Sequence, residues 1–296
     1  MIGQEPRKRI LIVYHTGAGS TRTICIALKA RLSSDFIVDL QSIFEYDKKP
    51  LDSFDFLIFG FPTYHCSPSK SMMEFVKNLQ PLGVARNGLV LTTYGLYPGN
   101  SIRMLIKELS AKRILTIGYS SIRGPASDGV LMLPKWISFM FKYEKSTCSK
   151  IRYMEQIVRN AINNGGLIGS KIPSWKWYTP LNYPNNYFGR RIYSKYRKRI
   201  SVDYKKCIKC GLCISNCGRG CWRDVKDKCH ITGESGSVPV YDSEHCEFCM
   251  KCIHNCPAKA ISFNKRMVER PRLNKIFYEN WTNRLLKFLT RDCTDL

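Results

Sequence analysis

The chain has 296 residues, 44% of them hydrophobic and 24% charged, with a formal net charge of +24 at pH 7. This length leaves room for two domains of ordinary size, and the composition excludes a disordered or collagen-like chain. No apolar run approaches the roughly 20 residues of a transmembrane helix, and the stretch from Ile10 to Tyr14 is too short for the core of a signal peptide, so the expectation is a cytoplasmic protein without a membrane span.

From Arg9 to about Leu167 short apolar runs alternate with amphipathic stretches, the pattern of a parallel sheet covered on both faces by helices. The runs 10–14, 36–40, 54–60, 88–93 and 113–118 read as strands, and 20–33, 68–79, 99–110 and 151–164 as helices. Ser20 offers an N-cap to the first helix, Pro68 suits the first turn of the second, and Asn100 or Ser101 caps the third. The segment 130–143, VLMLPKWISFMFKY, is apolar enough for a helix packed on the sheet.

Beyond Gly165 and Gly166 the periodicity is lost. Residues 172–199 set Trp175, Trp177, Tyr178, Tyr183, Tyr187, Phe188, Tyr193 and Tyr196 among prolines, asparagines and basic residues. This reads as an extended connector whose aromatic side chains lie against the domains on either side. Charge concentrates in the same region: residues 151–206 hold 12 basic and 2 acidic groups, against 20 and 11 in residues 1–150 and 15 and 10 in residues 207–296. The expected division is a sheet domain over 1–168, a basic aromatic connector over 169–200, a cysteine-rich domain over 201–265 and a helical tail over 266–296.

Fourteen cysteines in a reducing compartment point to metal ligation before disulfides. Eight of them form two runs, Cys207-x2-Cys210-x2-Cys213-x3-Cys217 and Cys246-x2-Cys249-x2-Cys252-x3-Cys256-Pro257. Three thiolates so spaced on one tight loop reach three corners of an iron-sulfur cubane while the fourth arrives from outside it, so the runs predict two 4Fe-4S clusters with bacterial ferredoxin spacing. One cluster is expected on Cys207, Cys210, Cys213 and Cys256, the other on Cys246, Cys249, Cys252 and Cys217. Zinc knuckles are the competing reading, although repeated triplets oversupply a four-coordinate metal. The first run is less regular: Gly218 follows it in place of a proline, Cys221 rivals Cys217 as crossover ligand, and Cys229 and His230 lie in the spacer 218–245.

Directly after the first strand comes His15-Thr16-Gly17-Ala18-Gly19-Ser20-Thr21-Arg22, a glycine and hydroxyl turn feeding a helix N-terminus. Backbone N–H groups and the helix dipole favour an anion there, and the hydroxyls of Thr16, Ser20 and Thr21 add donors. The turn has no P-loop lysine and departs from G-x-G-x-x-G, which weakens nucleoside triphosphate and dinucleotide readings. It resembles the phosphate-binding turn of flavodoxins, and Phe61-Pro62-Thr63-Tyr64-His65 and Thr92-Thr93-Tyr94-Gly95, after the third and fourth strands, support the resemblance.

That resemblance implies a flavodoxin-like doubly wound parallel sheet of order 2-1-3-4-5, with the three loops meeting at the switch point where FMN binds. Thr16, Gly17, Ala18, Gly19, Ser20 and Thr21 would hold the phosphate. Pro62, Thr63, Tyr64 and His65, with Thr93, Tyr94 and Gly95, would frame the ring, Tyr64 and Tyr94 being the stacking candidates. With its cysteine runs the chain is similar to the flavodoxin-ferredoxin fusion proteins of anaerobes, the EFR-type ferredoxins. This implies an α/β fold carrying a second, small α+β bacterial ferredoxin-like domain.

The resemblance further implies electron transfer between two 4Fe-4S clusters and FMN, linking one-electron carriers to a two-electron partner. The basic surface would steer an acidic ferredoxin or flavodoxin into contact. The alternative is an FMN-dependent reductase of a small molecule, fed by its own clusters, with His65 or Tyr94 as proton donor. Arg190-Arg191, Lys195 and Arg197-Lys198-Arg199 beside tyrosines suit single-stranded nucleic acid, but such a run is more often a solvated or docking face, so nucleic acid is not the expected partner.

Overall fold

Near-continuous apolar runs in the central strands of the N-terminal half give both faces of the sheet something to bury. A computed structural model of the protein describes residues 7–133, 137–174, 179–225, 238–264, 267 and 269–290. Strands β1 (Arg9–Tyr14), β2 (Ile37–Ser42), β3 (Phe56–Tyr64), β5 (Arg86–Tyr94) and β6 (Ile114–Arg123) form a parallel sheet of order β2-β1-β3-β5-β6, the order expected; β4 (Ser67–Pro68) turns back on the end of β3. β3 and β6 run four and five residues past the expected ends and β5 one, which carries their C-termini out to the site described below.

Ile10 and Ile12 of β1, Phe56 and Ile58 of β3 and Leu89 and Leu91 of β5 face helices α1 (Ser20–Leu32) and α5 (Thr147–Asn163), meeting Ile24, Leu28, Ile151 and Met154. Leu11, Val13, Leu57, Phe59 and Val90 face the other way, onto α2 (Lys70–Asn78) and α3 (Ser101–Ala111), where Met72, Val76, Leu105 and Leu109 lie. Gly19, in place of Ser20, holds the N-cap position of α1, and Ser69 that of α2, so Pro68 sits in β4 and not in a helix. Asn100 is the N-cap of α3 as expected.

The segment 130–143 departs from the single helix expected of it. A short helix, α4 (Ser127–Met132), ends two residues ahead of Pro134, and a 3-10 turn follows over Ser138–Phe141. Proline lacks an N–H and disfavours helical geometry in the residue before it, which is reason enough for the stop. The connector also differs from expectation: Asn182–Arg197 forms a helix, α6, and Tyr193 and Tyr196, three residues apart on one face, pack with Phe248. Trp175, Trp177 and Tyr178 lie outside the described residues.

A second, β-rich region follows. Strand β7 (Ser201–Val202) pairs antiparallel with β10 (Ile261–Ser262), and β8 (Trp222–Val225) with β9 (Val238–Tyr241). The short helices α7 (Leu212–Ser215) and α8 (Lys251–His254) complete it around a core of Ile200, Trp222, Phe248, Met250, Ile253 and Phe263, into which Leu131 of α4 also reaches. The final helix, α9 (Lys275–Thr290), returns to the start of the chain: Leu285 and Leu289 join the core of α1, and Thr282 Oγ1 lies 3.2 Å from Thr23 Oγ1. No helix of the described residues is long and apolar enough to cross a membrane.

Candidate functional site

At the C-terminal edge of the sheet, Thr hydroxyls tie the three loops together. Thr21 Oγ1 lies 2.8 Å from Thr93 Oγ1, joining the turn after β1 to the end of β5. Thr63 Oγ1 sits 2.8 Å from both Thr92 Oγ1 and Ser101 Oγ, joining β3 to β5 and to the start of α3. Two of the three hydroxyls expected to face an anion remain unsatisfied, because Thr16 Oγ1 and Ser20 Oγ are buried without a hydrogen-bond partner, whereas that of Thr21 is taken by Thr93.

These loops enclose a cavity of about 350 Å³. Thr16, Gly17, Ala18, Ser20 and Thr21, then Pro62, Thr63, Tyr64 and His65, then Thr93, Tyr94 and Gly95 all line it. Gly19 alone of the expected set does not, because it lies beneath Tyr278, whose ring a side chain at Gly19 would strike. Gly19 has φ +149°, a backbone angle that favours glycine. A side chain at Gly17 would collide with the Tyr64 hydroxyl and come within 2.9 Å of the Cys249 carbonyl oxygen.

The mouth of the cavity is built on strain. His65 and Cys66 form the two-residue turn between β3 and β4 with φ of +51° and +59°, a left-handed pair that asparagine and glycine adopt more cheaply. The turn is braced by the Cys66 carbonyl, which accepts from Asn100 N at 3.1 Å, and by the Tyr193 ring, whose centroid lies 3.9 Å from that of His65. Tyr193 in turn donates to Asp128 Oδ2 at 2.8 Å. Burial, then the Asp128 charge, raise the Tyr193 hydroxyl well above the ordinary phenol range. Burial also raises those of Tyr64 and Tyr94.

Several wall residues went unforeseen. Pro125 to Gly129 follow β6, and the switch-point argument that selected the loops after β1, β3 and β5 applies equally to this one. Tyr193, Phe248 and Tyr278 arrive from α6, the cysteine-rich region and α9 through long-range packing, for which the sequence carries no local signal.

Beneath the cavity a buried polar chain couples the sheet to the second region. His15 Nδ1 lies 2.7 Å from Ser69 Oγ, and His15 Nε2 lies 3.0 Å from Glu247 Oε1. The same carboxylate accepts from Ser71 N at 3.1 Å and Ser71 Oγ at 3.0 Å. Burial works to raise the Glu247 carboxyl, but His15 and the Ser71 donors outweigh it and hold the group at about 2.

The two 4Fe-4S clusters expected from the cysteine runs are corrected by the placement of the sulfurs. Among the described residues no three His, Cys, Asp or Glu side chains are grouped so as to hold a metal ion. The eight cysteines are free thiols, and their surroundings differ. Cys217 accepts from Cys221 N, Cys246 from Phe248 N and Cys256 from Ala260 N, each at 3.3 Å. Cys210 is exposed, Cys249 packs by its backbone against the glycine turn, and Cys207, Cys213 and Cys252 are half-buried. These sulfurs accept from backbone amides close by in sequence, and among the described residues they form no metal-holding group of the kind the spacing implied. Cys221, the rival ligand, is buried, with its thiol hydrogen-bonded among those of Cys217 and Cys246 and 3.8 Å from the Arg219 carbonyl; Cys229 and His230 lie outside the described residues.

A family model described as a flavodoxin domain matches residues 11–97. Among solved structures the chain is similar to a flavodoxin from the domain Archaea, at 14% identity over 51% of this chain and 97% of that one with a TM-score of 0.38. It is similar also to oxidised Flavodoxin 2 from Bacillus cereus, at 18% identity over 51% of this chain and 98% of that one with a TM-score of 0.41. An uncharacterized ferredoxin of Methanocaldococcus jannaschii is 40% identical over 62 residues, which are 21% of this chain and 73% of the relative.

Proposed function

Because the chain belongs to the ferredoxin family through that relative, and its residues 11–97 form a flavodoxin-like domain, we propose that it is an electron-transfer protein that holds FMN in the cavity at the C-terminal edge of the sheet. The observation that carries this reading is the meeting of three loops on one cavity whose glycine turn keeps two buried hydroxyls, those of Thr16 and Ser20, without partners. A buried hydroxyl so placed costs about 1–3 kcal/mol, which an anion with several acceptor oxygens relieves.

The residues fit such a group. The N-terminus of α1 carries no acidic residue in its first turn, so its amides present uncompensated positive potential toward the turn. Tyr64 and Tyr94 line the cavity and would flank the flavin ring, and Leu133, Met140 and Phe248 would add apolar wall around it. The Thr21–Thr93 and Thr63–Thr92 pairs hold the loops at fixed spacing. Bound FMN supplies redox chemistry in one- or two-electron steps. The partner we infer is an acidic redox protein, attracted by the basic stretch 151–206.

The test is titration of the full-length protein with FMN, followed by flavin fluorescence quenching and then by stepwise chemical reduction of the complex. Saturable quenching with reversible reduction is the expected result. Unquenched flavin would remove the cofactor and the function with it. A second reading, reduction of a small molecule at the flavin, draws on the hydrogen-bonded pair of Tyr193 and Asp128 in the cavity wall, whose phenol would serve as the proton source. Steady turnover of a quinone or an unsaturated compound, lost in Tyr193→Phe, would favour it over the carrier.

A further inference from the structure

Helix α9 lies outside the flavodoxin-like stretch, yet it supplies a side chain to the anion end of the cavity. Tyr278 is 5% exposed and lines the cavity, and its hydroxyl is buried without a hydrogen-bond partner, as are those of Thr16 and Ser20 on the facing turn. Tyr143, which shares this corner, is satisfied by donating to the Ser20 carbonyl at 2.9 Å. The Tyr278 ring is positioned firmly. It stands over Gly19, where any side chain would strike it, packs edge-on against Phe277 at 5.1 Å, and is backed by Thr282, which donates to the Tyr278 carbonyl at 2.8 Å and whose Oγ1 lies 3.2 Å from Thr23 Oγ1 of α1. A neutral donor without a partner, on a ring that covers the N-cap residue of α1 and lines the same cavity as two other unpartnered hydroxyls, is the composition of an incomplete phosphate site.

We propose that Tyr278 is a ligand-binding residue: its hydroxyl donates to the phosphate of the nucleotide held by the turn Thr16 to Ser20, so that α9 closes the phosphate end of the cavity. This deepens the FMN reading and rests on it. The chemistry recognised is a phosphate monoester dianion, which a flavin nucleotide or free inorganic phosphate can present.

The experiment compares the full-length wild type with Tyr278→Phe, which keeps the ring and removes only the hydroxyl, by titrating each with FMN and with riboflavin. Loss of about tenfold in FMN affinity is expected, the size of one hydrogen bond to a charged acceptor, with riboflavin affinity unchanged because riboflavin has no phosphate. Retained riboflavin binding also reports that the variant is folded. Equal FMN affinity in the two proteins, or an equal loss for both flavins, overturns the proposal, the second outcome assigning Tyr278 to packing alone. If the wild type binds neither flavin, the cofactor reading fails, and thermal stabilisation by inorganic phosphate decides the rest: stabilisation lost in Tyr278→Phe supports the donor role, and its absence in the wild type overturns it.

Discussion

Glu247 is a carboxylate sealed between two parts of the chain, with its side chain 3% exposed and its oxygens shared by His15 and Ser71. Removing one partner of such a group leaves the other buried and unpaired, which is costlier than never having made the pair. Glu247→Ala is therefore expected to lower the unfolding free energy by about 3 kcal/mol, measured by urea denaturation. In a double-mutant cycle with His15→Ala the two losses should fall well short of additive, and strict additivity would mean that the pair is not coupled. Gly19→Ala tests a different cost, since it forces a side chain into the Tyr278 ring at a backbone angle that alanine resists. It is expected to weaken FMN binding more than Thr16→Ala does, as the flavin titration would read directly. Neither Glu247 nor Tyr278 announces itself in the sequence. One reads as a passing residue inside a cysteine run and the other as one aromatic in a C-terminal amphipathic helix, because the contacts that give them roles span 232 and more than 250 residues of chain respectively.

The helices divide into those that local pattern reveals and those that it conceals. α1, α2, α3 and α5 bury residues at the spacing of a helical stripe against a sheet, so their positions could be read to within a few residues. α6 could not, for its sequence NYPNNYFGRRIYSKYR has no continuous apolar stripe, and the contacts that hold it, of Tyr193 with His65, Asp128 and Phe248 and of Tyr196 with Phe248 and Phe263, come from distant segments. The cysteine runs mark the opposite error: spacing records the order of thiols along the chain, whereas no metal-holding group of three or more forms among the described residues. α9 was expected as a helical tail, while its docking onto α1 was not foreseen. Leu285, fully buried in the core that α1 also enters, provides the check. Leu285→Ala is expected to cost about 2–5 kcal/mol and to weaken FMN binding through the displaced Tyr278, so an unaltered melting curve would mean that α9 does not pack there.

For the molecule as a whole, the net charge of +24 and the concentration of 12 basic against 2 acidic groups in residues 151–206 set the terms on which partners approach. Exposed charges attract over a distance of about one Debye length, near 10 Å at 0.1 M salt. Association with an acidic redox protein is therefore expected to slow steeply as ionic strength rises, while the dissociation rate changes little. Stopped-flow rates over a salt series would show this, and a flat series would place the basic stretch away from the contact. The parallel sheet and the loops after β1, β3 and β5 were legible because strand order and switch point follow from local pattern alone. The remaining cavity wall was not, since it is assembled from segments that meet only after the sheet exists.

The seating of α9 on α1 also bears on how the protein is made. Thr23 and Thr282 touch across 259 residues of sequence, so at a synthesis rate of about 5–20 residues per second the first helix waits roughly ten to fifty seconds for its cover. Through that interval the nascent sheet presents the bare flank of α1 to the cell, a stretch on which a holding chaperone would find its grip.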